Sequence, residues 1–337
     1  MLIIGCDFHP SFEQVSIFDN RSKQEWSLRL DHPEEARRFY EGLRGEEVLV
    51  GMEASGFSHW FEQLLAECGH QLWIGDAAQI RASYVRRQKT DRRDAGHLLR
   101  LLREGRFPRI WVPSPEERDV RQLLVHRHKR VRLQTQIKNQ LQALALNQGL
   151  QRRHKLGSAA GRQLLEQLPL APWAARRRDE LLGSLDQLQR QIAALDEAVE
   201  QEARRRPEVM RLRTQKGIGP VTGLATVLTL GPVERFANAR QVASYVGLTP
   251  REHSSGGKQR LGHISKQGSP FLRGLLVEAA QSAARHDPEL RRCYLRLAMR
   301  KGKAVAKVAV ARKLLVKMYW RLRQESDKAP LPGSSCR

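Results

Sequence analysis

The chain has 337 residues, enough for two or three domains with proper cores, and carries 59 Lys and Arg against 36 Asp and Glu, a formal charge of +23 that favours a polyanionic partner. No apolar run approaches the roughly 18 residues of a membrane span and the N-terminus has no signal-peptide pattern, so no membrane role is expected. The four cysteines, Cys6, Cys68, Cys293 and Cys336, show no CxxC or Cys/His spacing suited to zinc, which leaves reduced thiols in a cytoplasmic protein as the expectation.

Residues 1–110 alternate short apolar runs with helical patterns, which predicts an α/β domain. Expected strands are Leu2–Asp7, Gln14–Phe18, Trp26–Leu30, Glu47–Met52 and Gln71–Ile74, with helices near 33–43, 58–68 and 91–104. Residues 1–80 hold 6 basic and 14 acidic side chains, residues 81–110 hold 10 and 3, and the rest of the chain carries the remaining +24. A ribosomal protein or a membrane-surface binder has no need of an acidic first domain that runs into a cationic stretch, so nucleic acid is the expected partner.

Four carboxylates in this first domain stand where a nuclease places metal ligands. Asp7 closes the apolar run Leu2-Ile3-Ile4-Gly5-Cys6, Glu53 closes Val48-Leu49-Val50-Gly51-Met52, and Asp91 and Asp94 open the amphipathic stretch DRRDAGHLLRLL. Acids at strand ends and at a helix start meet at one edge of an α/β sheet, where hard oxygen ligands can hold Mg²⁺; this is the ribonuclease H-like arrangement. Spacing of i, i+3 puts Asp91 and Asp94 on one helix face. Asp7 inside a hydrophobic strand is costly unless paired or metal-bound. Taken singly, Asp91 and Asp94 also read as a capping pair that complements the helix dipole. As a set, they supply the roughly four oxygens that two-metal phosphoryl chemistry uses.

The loop FPRIWVPSPEE, with three prolines, ends the pattern and marks a boundary. Residues 116–206 then read as long helices: Leu133, Ile137, Leu141 and Leu144 recur at helical spacing, and Leu185, Leu188, Ile192, Leu195 and Val199 follow a heptad pattern. An antiparallel hairpin with its turn somewhere in 151–173 is expected, its apolar stripe packing within the chain or between chains. The intervening Arg127, Lys129, Arg130 and Arg132 fit a solvated face. A third region, 207–325, opens with TQKGIGPVTGLATVL, where Lys216, Gly217 and Gly219 join two apolar-periodic segments. Such a helix-hairpin-helix turn offers backbone N–H groups to a phosphate; the plainer alternative is a glycine turn between packed helices. Residues 326–337, SDKAPLPGSSCR, are expected to be a disordered tail.

The segment GLTPREHSSGGKQRLGHISKQGSPFLR, residues 247–273, together with KTDRRDA at 89–95 and the Asp7, Glu53, Asp91, Asp94 set, resembles the DEDD-type insertion-sequence transposases, relatives of the Piv DNA invertase understood as bridge-RNA-guided recombinases. The similarity spans roughly residues 2–322. It implies a RuvC-like, ribonuclease H-fold domain over 1–110 that binds metal, a coiled-coil assembly region over 116–206, and a mostly α transposase domain that contributes a nucleophilic serine. That position is Ser255, with Ser254 beside it. The resemblance also implies Mg²⁺, target and donor DNA, a non-coding bridge RNA and a dimer of dimers, in a cytoplasmic, nucleoid-associated bacterial protein. One departure is His9-Pro10, where many members have a small polar residue and Lys.

The chemistry around Ser255 is coherent in its own right. A serine hydroxyl needs a metal, a base or dense positive charge to attack a phosphodiester. Arg251, Lys258, Arg260, Lys266 and Arg273 surround it in sequence, and Gly256-Gly257 permits close approach of DNA. Serine beside Gly-Gly is equally the composition of an ordinary loop. His253 and His263 are candidate bases, and Lys266 and Arg273 candidate phosphate clamps. The expected function is site-specific recombination through a covalent phosphoserine. The alternatives are a metal-dependent nuclease or junction resolvase using water, which leaves Ser255 dispensable, and a non-catalytic nucleic-acid scaffold.

Overall fold

The computed structural model describes residues 1–84, 90–150, 156–252 and 260–326. The chain divides into two compact units, Met1–Val112 and Pro113–Arg337.

The first unit is built on β1 (Leu2–Phe8), β2 (Phe12–Asp19), β3 (Glu25–Asp31), α1 (Glu34–Gly42), β4 (Val48–Glu53), α2 (His59–Glu67), β5 (Gln71–Gly75), α3 (Ala77–Ala82) and α4 (Asp91–Arg103). The strands form one sheet in the order β3-β2-β1-β4-β5. Hairpin connections make β1–β2 and β2–β3 antiparallel, whereas β1–β4 and β4–β5, joined through helices, are parallel. Every predicted strand is present within two residues of its expected bounds. The short α3 was not expected; the Asp76 side chain nucleates it by accepting from the N–H groups of Ala78 and Gln79 at 2.9 and 3.0 Å.

Strand alternation sorts the side chains into two layers. Ile4, Cys6, Val48, Val50 and Met52 face α1 and α2, where Tyr40, Phe61, Leu64 and Leu65 complete a core. Ile3 and Leu49 face the other way, onto Leu98, Leu99 and Leu102 of α4. Each of those buried leucines contributes about 2 kcal/mol of burial, so α4 is fixed by packing as well as by its own helix propensity.

The second unit is almost wholly helical. Its elements are α5 (Pro115–Asn147), α6 (Ala159–Glu166), α7 (Pro172–Arg204), α8 (Pro207–Arg213), α9 (Pro220–Leu230), α10 (Ala239–Tyr245), the two-stranded β6 (Pro250–Glu252) and β7 (Leu261–Ile264), then α11 (Pro270–His286), α12 (Pro288–Lys301) and α13 (Lys303–Ser326). A capping box between Ser114 and Glu117 starts α5. Helices α5 and α7, each 33 residues or about 50 Å long, run antiparallel. Val120 and Leu124 near the start of α5 share a core with Val199 and Ala203 near the end of α7. At the far end, Leu141 and Ala145 meet Leu182 and Leu185. Among the described residues no helix is long and apolar enough to cross a membrane. The tail residues 327–337 lie outside the described residues.

One feature of the first core works against stability. Glu13 of β2 is 0% exposed. The Cys6 thiol donates to its Oε2 at 3.0 Å, His32 Nε2 stands 4.0 Å from the same oxygen, and the Tyr40 hydroxyl, like Cys6, opposes the effect of burial on this carboxyl. Burial pushes this carboxyl from 4.5 up to about 7. Because the folded value lies above the unfolded one, the penalty is absent below about pH 4.5 and complete above about 7. Glu13→Gln keeps the shape and removes the charge. Chemical denaturation at pH 8 should find the variant more stable by up to roughly 3 kcal/mol, the gap closing as the pH falls. A variant no more stable than wild type at pH 8 contradicts this account.

Candidate active site

The edge of the first unit's sheet gathers the carboxylates because of two glycines. A Cβ placed on Gly5 would lie 2.3 Å from both the Ala95 carbonyl oxygen and the Leu99 nitrogen, and one on Gly51 would lie 2.7 Å from Leu102 Cδ1. The α4 backbone therefore rests directly on β1. The same alternation that turns Gly5 and Gly51 toward α4 turns Asp7 and Glu53 toward it, two residues further along each strand. The register carries Cys6 opposite Met52, so the two acids close neighbouring parallel strands.

Helix α4 brings the other pair. Its N-cap is Thr90, which makes no side-chain capping bond, so Asp91 is the first helical residue and not the cap that the sequence alone suggested. Asp94 is only 5% exposed, and the Tyr84 hydroxyl donates to its Oδ1 at 2.5 Å. Burial, then this hydrogen bond and the charges of Asp94, Asp7 and Glu53, push the Tyr84 phenol well above its usual value, which keeps it a donor. Asp7 is raised as well. Burial is the main cause, with Asp94 and Asp91 adding to it and His9 opposing it.

His9 is the member of the site that sequence reasoning passed over. Its Nε2 lies 3.2 Å from Asp7 Oδ2 and 3.9 Å from Asp91 Oδ1. Asp7, His9 and Asp91 each offer one ligand atom, and those atoms all lie within 4.8 Å of one another. Two hard oxygens and an imidazole nitrogen at that spacing suit a divalent cation. Two full charges about 4.8 Å apart repel by roughly 3 kcal/mol at an effective dielectric of about 20, a cost that a bound cation reverses. A usable signal existed: His9 follows Asp7 by two residues at a strand end and so returns to the same face. Tyr84 carried no comparable signal.

The second unit holds the remaining candidates. Gly217, at φ +87°, packs its bare Cα onto α11, where a Cβ would lie 2.7 Å from the Ala279 oxygen and the Ala283 nitrogen. Close packing is thus its physical requirement. Gly219 faces open space at the N-cap of α9, and the exposed Lys216 lines a recess of about 470 Å³ with Lys317, Trp320 and Arg321. Around the β6–β7 hairpin, Lys266, Arg260 and His263 are exposed. Arg251 donates to the Ser265 carbonyl at 3.4 Å. Arg273 donates through Nη1 to the carbonyls of Val246 at 3.1 Å, Gly268 at 3.2 Å and Gln267, and so ties together the foot of the hairpin. His253, Ser254, Ser255, Gly256, Gly257 and Lys258 lie outside the described residues.

Comparison with known proteins gives concordant matches. Residues 209–295 match the family described as "Transposase IS116/IS110/IS902 family", and residues 4–148 match the IS110-type DEDD model described as "Transposase". A probable family 20 transposase of Pseudomonas aeruginosa is 32% identical over 320 residues, which cover 92% of this chain and 93% of the relative. A putative transposase of Sinorhizobium fredii is 29% identical over 82% of this chain and 72% of its own length. The transposase for insertion sequence element IS1111A of Coxiella burnetii is 29% identical over 70% of this chain and 66% of its own.

The close approach of α4 can be tested by itself. Gly5→Ala forces a methyl into backbone that has no rotamer to give way, and should cost about 1–3 kcal/mol or more in urea unfolding. Gly96→Ala, on the same helix with only Ser16 Oγ at 3.8 Å, should leave stability unchanged or raise it, since alanine is the better helix former. Equal tolerance of the two substitutions would show that the contact does not hold α4 in place.

Proposed function

The chain belongs to the IS116/IS110/IS902 family of insertion-sequence transposases, and on that premise we propose that it is a site-specific DNA recombinase whose RuvC-like first unit holds Mg²⁺ through Asp7, Glu53, Asp91 and Asp94 and whose nucleophile is Ser255. The observation that carries the reading is the gathering of Asp7 and Asp91 at one sheet edge, within 4.8 Å of each other's ligand atoms, beside a buried Asp94. The strand order β3-β2-β1-β4-β5 supports the ribonuclease H-like assignment.

A divalent ion held by these carboxylates would supply Lewis-acid withdrawal of charge from the scissile phosphate. Asp7 and Asp91 would hold that ion, and Tyr84 keeps the Asp94 carboxylate directed by its hydrogen bond. Ser255 Oγ bonds to phosphorus and displaces one deoxyribose oxygen, which departs as a hydroxyl with the proton the serine gives up. The phosphoserine ester conserves the energy of the broken bond, so a deoxyribose hydroxyl from another strand can reverse the step without ATP. Arg251, Lys258, Arg260 and Lys266 flank the serine in sequence and supply positive charge, and Arg273 acts through the hairpin's backbone. Lys216 and Gly219, beside the recess with Trp320 and Arg321, contact the nucleic-acid backbone. The +24 carried beyond residue 110 exceeds what one phosphate site needs and fits a bridge RNA bound with the DNA in a dimer of dimers.

Asp7→Asn and Asp94→Asn should each cut Mg²⁺-dependent strand cleavage about 100-fold or more while sparing most nucleic-acid binding. Wild type on a suicide substrate should leave a denaturant-resistant protein–DNA adduct that Ser255→Ala lacks. Undiminished cleavage by both Asn variants rules out the metal assignment. Cleavage that persists in Ser255→Ala without an adduct points to water as the nucleophile, and an adduct lost only in Ser254→Ala moves the role to that serine. Full recombination by RNA-free protein on DNA alone removes the RNA from the account.

A further inference from the structure

We propose that His9 is itself a ligand of the metal centre, giving the site one nitrogen donor among its carboxylates and biasing it toward first-row transition ions over Mg²⁺. The inference rests on the carboxylates being metal ligands and adds a donor that the four-acid pattern does not contain.

Three observations carry it. The first is spacing. Neighbouring ligands of an octahedral ion with bonds of about 2.1 Å stand about 3.0 Å apart. His9 Nε2 lies 3.2 Å from Asp7 Oδ2 and 3.9 Å from Asp91 Oδ1, with all three ligand atoms within 4.8 Å of one another, so rotation of the exposed Asp91 side chain toward the other two completes a three-atom face. The second is that the ring is held in place. His9 stacks on Phe12 with centroids 4.6 Å apart and planes at 21°, and the Arg29 guanidinium covers the Phe12 ring, with its central carbon 3.9 Å from the centroid. The His9 backbone N–H also donates to the Phe12 carbonyl at 2.9 Å, which closes the β1–β2 turn. An imidazole fixed on both its face and its backbone surrenders little entropy on binding a metal.

The third observation is the position of the nitrogen between two acids from different elements. Mg²⁺ prefers an all-oxygen shell and binds imidazole poorly, whereas Fe²⁺, Co²⁺ and Ni²⁺ accept it readily, and Mn²⁺ tolerates it. The donor set therefore predicts a measurable preference among ions.

The test reads the metal and not the reaction. Full-length protein carrying ¹⁵N-histidine or natural-abundance histidine is loaded with Mn²⁺ and examined by electron spin-echo envelope modulation. Wild type should show nitrogen modulation that shifts with the label, and His9→Ala should lose it. Calorimetric titration should find Co²⁺ affinity reduced about 10-fold or more in His9→Ala, with Mg²⁺ affinity changed less than about threefold. If His9→Ala proves misfolded by circular dichroism, the labelled wild type still reports whether an imidazole is bound, and His9→Asn replaces the alanine variant. Mn²⁺ that binds wild type and is weakened by Asp7→Asn, yet shows no nitrogen modulation or keeps it in the His9 variants, overturns the inference and leaves the carboxylate site standing. Failure of wild type to bind Mn²⁺, Co²⁺ or Mg²⁺ overturns both.

Discussion

The contact between the α4 backbone and the bare Cα of Gly5 is the constraint on which the site depends. A helix normally packs on a sheet through side chains, at a distance that would hold its first turn away from the strand end. Here a Cβ on Gly5 would come within 2.3 Å of the Ala95 oxygen, and Gly51 admits the Leu102 side chain in the same manner. The buried Leu98, Leu99 and Leu102 then lock the helix at that depth. With α4 so placed, Asp91 and Asp94 stand over the end of β1 and not beside it, and Asp94 becomes buried at 5% exposure. Alternation along β1 and β4 does the rest, carrying Asp7 and Glu53 onto the same face as the two glycines.

This arrangement is electrostatically unfavourable until a cation binds. Asp7 is raised chiefly by burial and then by Asp94 and Asp91, which means the fold holds it where its charged form is resisted. His9 and Tyr84 relieve the strain in different ways: His9 favours the charged Asp7, and Tyr84 donates to Asp94. Sites whose groups resist their own ionisation are where metal and proton chemistry concentrate. The rest of the charge is distributed to suit the same end. Residues 1–80 are net acidic, and the basic excess lies beyond them, so the carboxylate cluster and the positive charge are separated along the chain.

Much of this was legible beforehand because it rests on short-range rules. The strands of the first unit follow from apolar runs bounded by turns, and α4 from the amphipathic stretch after Thr90. The acids could be assigned to one edge because strand ends and helix starts converge there in α/β sheets. What escaped depended on contacts between distant segments. The short α3 arises from a single Asp76 cap, and Tyr84 meets Asp94 across ten residues that carry no periodic signal. His9 stood out in sequence only as a departure from a familiar pattern, and its ring position is set by Phe12 and Arg29 from neighbouring strands. In the second unit the heptad stripe at Leu185, Leu188, Ile192 and Val199 left its partner open between the same chain and another. Packing of Leu185 against Leu141 and of Val199 beside Leu124 supplies that partner in cis. Arg273 looked like a phosphate clamp by composition, yet its Nη1 faces three backbone carbonyls.

In the proposed site, segments from β1, β4 and the start of α4 surround a divalent ion. Fe²⁺ in place of that ion, with ascorbate and peroxide, generates hydroxyl radicals that cut the backbone within a few ångströms, so mapping the fragments reads the surroundings of the metal directly. The account predicts cuts at three places, around Asp7, around Glu53 and around Asp91 to Asp94, all suppressed by excess Mg²⁺ and by Asp7→Asn. Cutting at only one of these segments, or cutting that Mg²⁺ does not suppress, would contradict it.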